Sequence, residues 1–230
     1  MDKKKKTALI TGGAGGLGRE LAASLTGDYE VVVVDIEKNL ERVAKTLGVA
    51  GWNCDVSVYA QVERAIKLVV NTYGKIDVLI NAAGVYLQGQ LSACEPGEIE
   101  QVIGVNTLGT INMCRAVIPY MKKNGGGQIV NIISQAALYP AESRSVYHAS
   151  KRAIDGFTKS LQPEVDNYGI KVTGVYPGLM NTNFLEKGGY SRNMETALDP
   201  EEVVKIINYI LALPEDVLIP EIGIKHARHY

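Results

Sequence analysis

Continuous apolar runs rich in β-branched residues recur along this chain, with amphipathic stretches between them. Seven have strand length: "TALIT" (7–11), "EVVVVD" (30–35), "VAGWNCDV" (49–56), "IDVLINAA" (76–83), "GQIVNIIS" (127–134), "IKVTGVY" (170–176) and "DVLIPEIGI" (216–224). Continuous runs, rather than strict alternation, indicate strands buried on both faces. Between them the period becomes helical. Over 57–74, Val62, Ile66 and Val69 mark one face, Ser57 offers a cap and Gly74 a stop. Further helices are expected after the first strand and over about 98–123, 146–167 and 200–213. Strand–helix–strand repetition implies right-handed crossovers. The expected fold is α/β and doubly wound: a seven-stranded, mostly parallel sheet flanked by helices on both faces, in a single domain over 1–230. In such sheets ligands bind beyond the carboxyl ends of the strands, at the switch point.

Composition narrows the class. At 46% hydrophobic and 21% charged, the chain has the make-up of a soluble globule. A formal net charge of −1 gives nothing to attract nucleic acid or an anionic membrane. The basic start, Lys3 to Lys6, reads as an exposed lead-in to the first strand. Cys54, Cys94 and Cys114 are odd in number and form no Cys-x-x-Cys pair, which suits a reducing compartment. No apolar run approaches the ~18 residues of a membrane span. The N-terminus lacks the apolar core of a signal peptide, so the expected location is cytoplasmic.

Five glycines fall within positions 12–18, directly after the first strand and at the start of a helix. Gly13-x-Gly15-x-x-Gly18 satisfies the dinucleotide fingerprint, and Thr11-Gly12-x-x-x-Gly16-x-Gly18 fits a related spacing. Either way the physics is the same: a tight turn needs positive φ, and a pyrophosphate needs bare backbone beside the open N–H groups of a helix. The triphosphatase loop is excluded, because Arg19-Glu20 stands where its Lys and Ser/Thr would be. The second strand ends at Asp35, seventeen positions after Gly18. A carboxylate there accepts from both adenosine ribose hydroxyls and repels a 2′-phosphate. Ile36 follows it, and no basic residue lies among residues 13–16, so NAD is favoured over NADP.

A second constellation lies in "SVYHASKRAI" (145–154). Tyr147 and Lys151 share a helix face, and no other tyrosine among the twelve has lysine four residues on. Ser134 ends the strand thirteen residues earlier. Thr11-Gly12-x-x-x-Gly16-x-Gly18, Asp55, Asn81-Ala82-Ala83-Gly84, Asn106, Ser134, Tyr147-x-x-x-Lys151 and Pro177-Gly178 occur in that order. Together, from Thr7 to about Ile224, they closely resemble the short-chain dehydrogenase/reductase family, a Rossmann-type fold.

The resemblance implies an oxidoreductase that interconverts a secondary alcohol and a ketone. It makes Tyr147 the acid/base, its phenol drawn below the usual value near 10 by the Lys151 ammonium together with the positive nicotinamide ring. Lys151 would also hold the nicotinamide ribose, Ser134 the reacting oxygen, and Asn106 a relay water. Asp55 and Val56 would meet adenine; Leu17, between two loop glycines, would face the pyrophosphate through its backbone. Asn81, Ala82 and Gly84 would line the fourth strand's end, Pro177-Gly178 would turn over the nicotinamide, and Thr182 would bond its carboxamide.

Three features depart from the family pattern. Ala82 replaces the second asparagine of Asn-Asn-Ala-Gly. Pro163 falls inside the helix that carries Tyr147, where a kink is expected to disturb interface geometry. Only "KHARHY" (225–230) follows the last strand, which favours a homodimer through the two long helices over a tetramer. Leu179, Phe184 and Tyr190, with Tyr86, Leu138 and Tyr139, are candidates for an apolar substrate pocket. Two other readings share these motifs: an NADP-dependent 3-oxoacyl reductase-like enzyme, and a non-catalytic dinucleotide sensor. A zinc enzyme is poorly supported, since His148, His226 and His229 have no ligand-like cysteine cluster beside them.

Overall fold

Along each central strand, neighbouring side chains enter different cores. The computed structural model, which describes residues 5–228, has strands β1 (Lys6–Thr11), β2 (Tyr29–Asp35), β3 (Ala50–Asn53), β4 (Val78–Asn81), β5 (Gly127–Ile132), β6 (Ile170–Pro177) and β7 (Glu221–Ile224). Ala8 and Ile10 of β1, Val31 and Val33 of β2, and Val78 and Ile80 of β4 enter one core. Leu9, Val32, Val34 and Leu79 enter the other. This period-two sorting, with both faces covered, is why the strands read as unbroken apolar runs.

The helices are α1 (Gly16–Leu25), α2 (Leu40–Leu47), α3 (Tyr59–Tyr73), α4 (Pro96–Val102), α5 (Gly109–Lys123), α6 (Ser145–Val165), α7 (Phe184–Lys187) and α8 (Pro200–Ala212). Leu17, Leu21 and Leu25 of α1 and Val203, Ile207 and Ile210 of α8 pack on the first face. Val62, Ile66 and Val69 of α3, Met113 and Val117 of α5, and Leu161 and Val165 of α6 cover the second. The sheet order is β3-β2-β1-β4-β5-β6-β7. All six pairings are parallel, so "mostly parallel" becomes wholly parallel. The order reverses between β1 and β4, and every strand ends at the same edge.

Several boundaries move, each for a local reason. Ser57 does not cap α3: Val58 precedes that helix without a side-chain cap, and the Ser57 hydroxyl donates to Asp55 Oδ1 at 2.6 Å. The predicted helix over 98–123 starts two residues earlier, where Glu95 and Glu98 form a capping box. It passes through a π-helical turn at Ile103–Leu108 before α5. The last strand is four residues long, because Pro220 lacks the N–H a ladder needs; the Pro220 carbonyl accepts from Gly174 N–H at 2.9 Å. Pro163 lies in the last turn of α6 rather than deep within it, and the Asp166 N–H still reaches the Gln162 carbonyl. All three cysteines are free thiols. Of the basic lead-in, Lys3 and Lys4 lie outside the described residues, as does His229. Among the described residues no helix is long and apolar enough to cross a membrane.

A buried polar chain ties β4, β5 and α6 beneath the sheet edge. Asn81 Nδ2 donates to Asn131 Oδ1 at 2.8 Å, and Asn131 Nδ2 donates to Thr158 Oγ1 at 2.9 Å. Asn131→Ala strands two dry partners, so stability should fall by about 2–4 kcal/mol, read as a lower urea midpoint with an unchanged slope.

Candidate active site

The switch point is pinned by one hydroxyl. Thr11 Oγ1, buried at the end of β1, accepts from the Ala82 and Ala83 N–H groups at 3.1 and 3.0 Å. Gly12 follows with φ +70°, and a Cβ there would stand 2.9 Å from the Ala83 backbone. A Cβ on Gly18 would lie 2.2 Å from the Gly12 carbonyl oxygen. These two glycines let the turn close on itself. Gly15 differs: it caps α1 with no side chain, and an added Cβ would meet nothing nearer than Lys187 Nζ at 3.5 Å.

Beyond this turn opens a cleft of about 860 Å³. Gly12, Gly15, Gly16, Leu17, Gly18, Asp35, Ile36, Asp55, Val56, Ala82 and Gly84 line it. So do Ser134, Tyr147, Lys151, Pro177, Gly178 and Thr182. Asn81 and Asn106 stand behind that lining. Asn81 Nδ2 donates to Asn131 Oδ1 and to Cys114 Sγ at 3.4 Å, while its Oδ1 is buried without a partner. Asn106 sits in the π-helical turn, fully buried; its Oδ1 accepts from Val85 N–H, and its Nδ2 donates to the Val85 carbonyl and Ser150 Oγ. Both residues brace the wall from behind.

Asp35 holds the far rim of the cleft. Its Oδ2 accepts from Ala14 N–H at 2.9 Å, and its Oδ1 from Ile36 and Glu37 N–H groups at 2.7 and 3.1 Å. Ile36 is exposed beside it. Glu37 pairs with Lys187 at 2.5 Å, joining β2's end to α7 across the mouth. No sequence pattern pointed to that pair, whose members stand 150 positions apart. Bare backbone at Gly15 and Gly16, the open first turn of α1 and a carboxylate at the rim fit the pyrophosphate and ribose of a dinucleotide.

At the other end, α6 carries the reactive side chains. Tyr147 and Lys151 are both buried on its inner face. The Ser134 side chain lies close enough to the Tyr147 phenol to draw its pKa down. Ser134 lies two residues past β5, at φ 157°, with its Oγ also accepting from Ala136 N–H at 3.1 Å. Lys151 Nζ donates to the Ile132 carbonyl at 3.1 Å and lies 5.9 Å from the Tyr147 ring centre. Burial pushes Tyr147 well above its usual value, against Ser134 and the Arg144 charge, which pull it down. Burial also pushes the Lys151 ammonium down to about 8, which weakens it as a neighbouring charge.

The apolar pocket is partly as expected. Tyr86, Tyr139, Leu179 and Phe184 line the cleft; Leu138 and Tyr190 do not. Leu138 points outward, and Tyr190 packs edge-on behind Tyr86 with ring centres 5.3 Å apart. Tyr86 meets Tyr147 at 4.9 Å and Phe184 at 6.1 Å. Basic wall residues Arg144, Arg192 and Lys225 went unnoticed in the sequence. The three-residue spacing of Arg144 before Tyr147 was the signal for the first. Among the described residues no group of His, Cys, Asp and Glu gathers as a metal site.

The family model described as short chain dehydrogenase matches residues 6–192. An uncharacterized oxidoreductase of Staphylococcus epidermidis is 30% identical over 226 residues, covering 96% of this chain and 97% of the relative. A 3-ketoacyl-(acyl-carrier-protein) reductase from Brucella melitensis, complexed with NADH, aligns with a TM-score of 0.86 at 29% identity, over 97% of this chain and 98% of that one. ElxO with NADP bound aligns at 0.85 and 29% identity, over 95% and 97%.

Two predictions test this geometry. Gly12→Ala should destabilise the fold, whereas Gly15→Ala should leave the melting temperature near wild type and weaken dinucleotide binding at least about tenfold, read by calorimetry. Lys151 carries a folded pKa of about 8 against 10.5 unfolded. Between those values the unfolded chain holds the extra proton, so stability rises with pH across the window. Lys151→Met should therefore be more stable at pH 7 by up to about 3 kcal/mol. That advantage should shrink from pH 8 to pH 10.5 in denaturant titrations.

Proposed function

This chain belongs to the short-chain dehydrogenase/reductase family, and from that premise we propose that it interconverts a secondary alcohol and a ketone with NAD(H). One domain carries both sites. The observation that carries this reading is that Ser134, Tyr147 and, one turn along, Lys151 line the same cleft as the glycine turn and Asp35, with Ser134 close enough to act on the Tyr147 phenol.

Each side chain has a role its surroundings support. Tyr147 is the acid/base. Burial keeps it a neutral phenol, the form that gives a proton to a carbonyl oxygen. Ser134 shares that oxygen and stabilises charge developing on it. Lys151, fixed by the Ile132 carbonyl, supplies the positive field that draws Tyr147 toward release and reaches the nicotinamide ribose. Nicotinamide, when bound, is the hydride donor or acceptor. Asn106 acts from behind: by holding Val85 it fixes the loop after β4, and with it Gly84. Gly15, Gly16, Leu17 and Gly18 hold the pyrophosphate, Asp55 and Val56 flank the adenine, and Pro177, Gly178 and Thr182 meet the carboxamide.

Asp35 supports NAD over NADP. Its two oxygens already fix three N–H groups, so the carboxylate is rigid and charged where a 2′-phosphate would lie. Lys187 reaches the same rim, but Glu37 neutralises it. The reading includes a homodimer through α5 and α6 and a cytoplasmic location.

Tyr147→Phe removes only the hydroxyl. Turnover of secondary alcohols with NAD⁺, followed by absorbance of the reduced nicotinamide, should drop about 10²–10⁴-fold, while dinucleotide affinity stays within about threefold. A variant that turns over as fast as wild type defeats the acid/base assignment. Retained binding with no turnover by wild type on any alcohol or ketone favours the sensor.

A further inference from the structure

We propose that the substrate of this site carries a carboxylate, received by Arg144 with help from Arg192. This rests on the oxidoreductase reading and narrows its substrate class from apolar alcohols to hydroxy or oxo acids.

The charges along the cleft are sorted. Its acidic wall residues, Asp35, Glu37 and Asp55, all lie toward the rim by the glycine turn. Arg144, Arg192 and Lys225 line the wall around the aromatic pocket. Among the described residues no carboxylate pairs with Arg144 or Arg192. Glu142, near Arg144 in sequence, is exposed and outside the wall. Arg144 is half-buried, and its Nε is dry and has no acceptor. Its polar contact is with the Tyr86 hydroxyl, which itself donates to Gln88 Oε1 at 2.9 Å.

A half-buried guanidinium without a counterion is costly. Here the backbone adds to that cost. Ser143, just before it, is in the left-handed region at φ +58°, uncommon for a residue with a Cβ. Its carbonyl accepts from Gly89 N–H at 2.8 Å, which clamps the turn to the loop after β4. That turn aims Arg144 at the pocket one helical turn before Tyr147. Arg144 is close enough to pull on the phenols of both Tyr86 and Tyr147, and Arg192 on that of Tyr86. A planar carboxylate matches the guanidinium fork, and its single charge balances that of Arg144. The aromatic rings of Tyr86 and Phe184 hold the carbon chain between that anchor and Tyr147.

The test uses straight-chain 2-, 3- and 4-hydroxy acids and their methyl esters, matched in carbon skeleton, with NAD⁺ at pH 7.5. At least one acid should exceed its ester in kcat/KM by about tenfold or more. Arg144→Gln should raise KM for that acid about 10–100-fold more than for its ester, any shared change in kcat reporting the Arg144 charge on Tyr147; Arg192→Gln should do the same more weakly. Arg144→Lys, which keeps the charge without the fork, should fall between. If Arg144→Gln fails to unfold cooperatively, Arg144→Lys and Arg192→Gln decide. Esters that match or beat their acids, or arginine variants that raise the KM of both alike, overturn the proposal. So does a phosphorylated alcohol of equal chain length that outcompetes every acid. Calorimetry of succinate and butyrate into NADH-saturated protein separates the two readings. Carboxylate binding that vanishes in Arg144→Gln supports the anion site even where nothing is turned over, and no carboxylate binding by wild type overturns it.

Discussion

The seam between β1 and β4 is the constraint on which the rest depends. There the sheet changes its winding direction, and two strands that are neighbours in space lie about 70 positions apart in sequence. A parallel ladder leaves a gap where the chains diverge to helices on opposite faces. Thr11 Oγ1 closes its floor by taking two N–H groups from across the seam. Gly12 then fits against Ala83 where no side chain would. The substitution of Ala82 for the family's asparagine leaves this floor intact, because the contact is made by backbone. With the floor fixed, the open end of α1 and the ends of β2 and β4 face the same space.

The second requirement is that α6 deliver its side chains at a fixed height above that floor. Asn131 and Thr158 lock α6 to the sheet through buried amide and hydroxyl bonds. Lys151 adds a bond to the strand end at Ile132. The π-helical turn before α5 widens the helix locally so that Asn106 faces both the loop after β4 and Ser150 of α6. One residue thus couples three segments, and each of them lines the cleft. A buried lysine and a buried tyrosine are carried at the expense of stability.

The cleft is electrically polarised by distant parts of the chain. Its acidic end comes from the β2 and β3 edges and its basic end from the turn before α6, the segment after α7 and the tail after β7. Low dielectric walls strengthen such a gradient. Lys187 and Glu37, opposite charges from α7 and β2, join across the mouth between these ends.

Much of this was legible in the residues. Period-two burial in continuous apolar runs, helical period between them, and glycines directly after a strand follow from local stereochemistry and appear in any window of the sequence. Gly12, Asp35, Ser134, Tyr147 and Lys151 were legible because their chemistry depends on spacing within one element or one turn. What only the tertiary structure decided were matters of distance across elements. Asn106 went behind the wall because its buried amide finds partners there at Val85 and Ser150, and Asn81 because its Nδ2 is tied to Asn131 on the neighbouring strand. The Tyr147 phenol is pushed up by desolvation, a property of the surrounding volume and not of a neighbour four residues on. Arg144, Arg192 and Lys187 became part of the cleft because parallel winding carries remote loops to one sheet edge. Linear order encodes the elements and their turns; solvent exclusion and long-range charge exist only after the chain has closed around them.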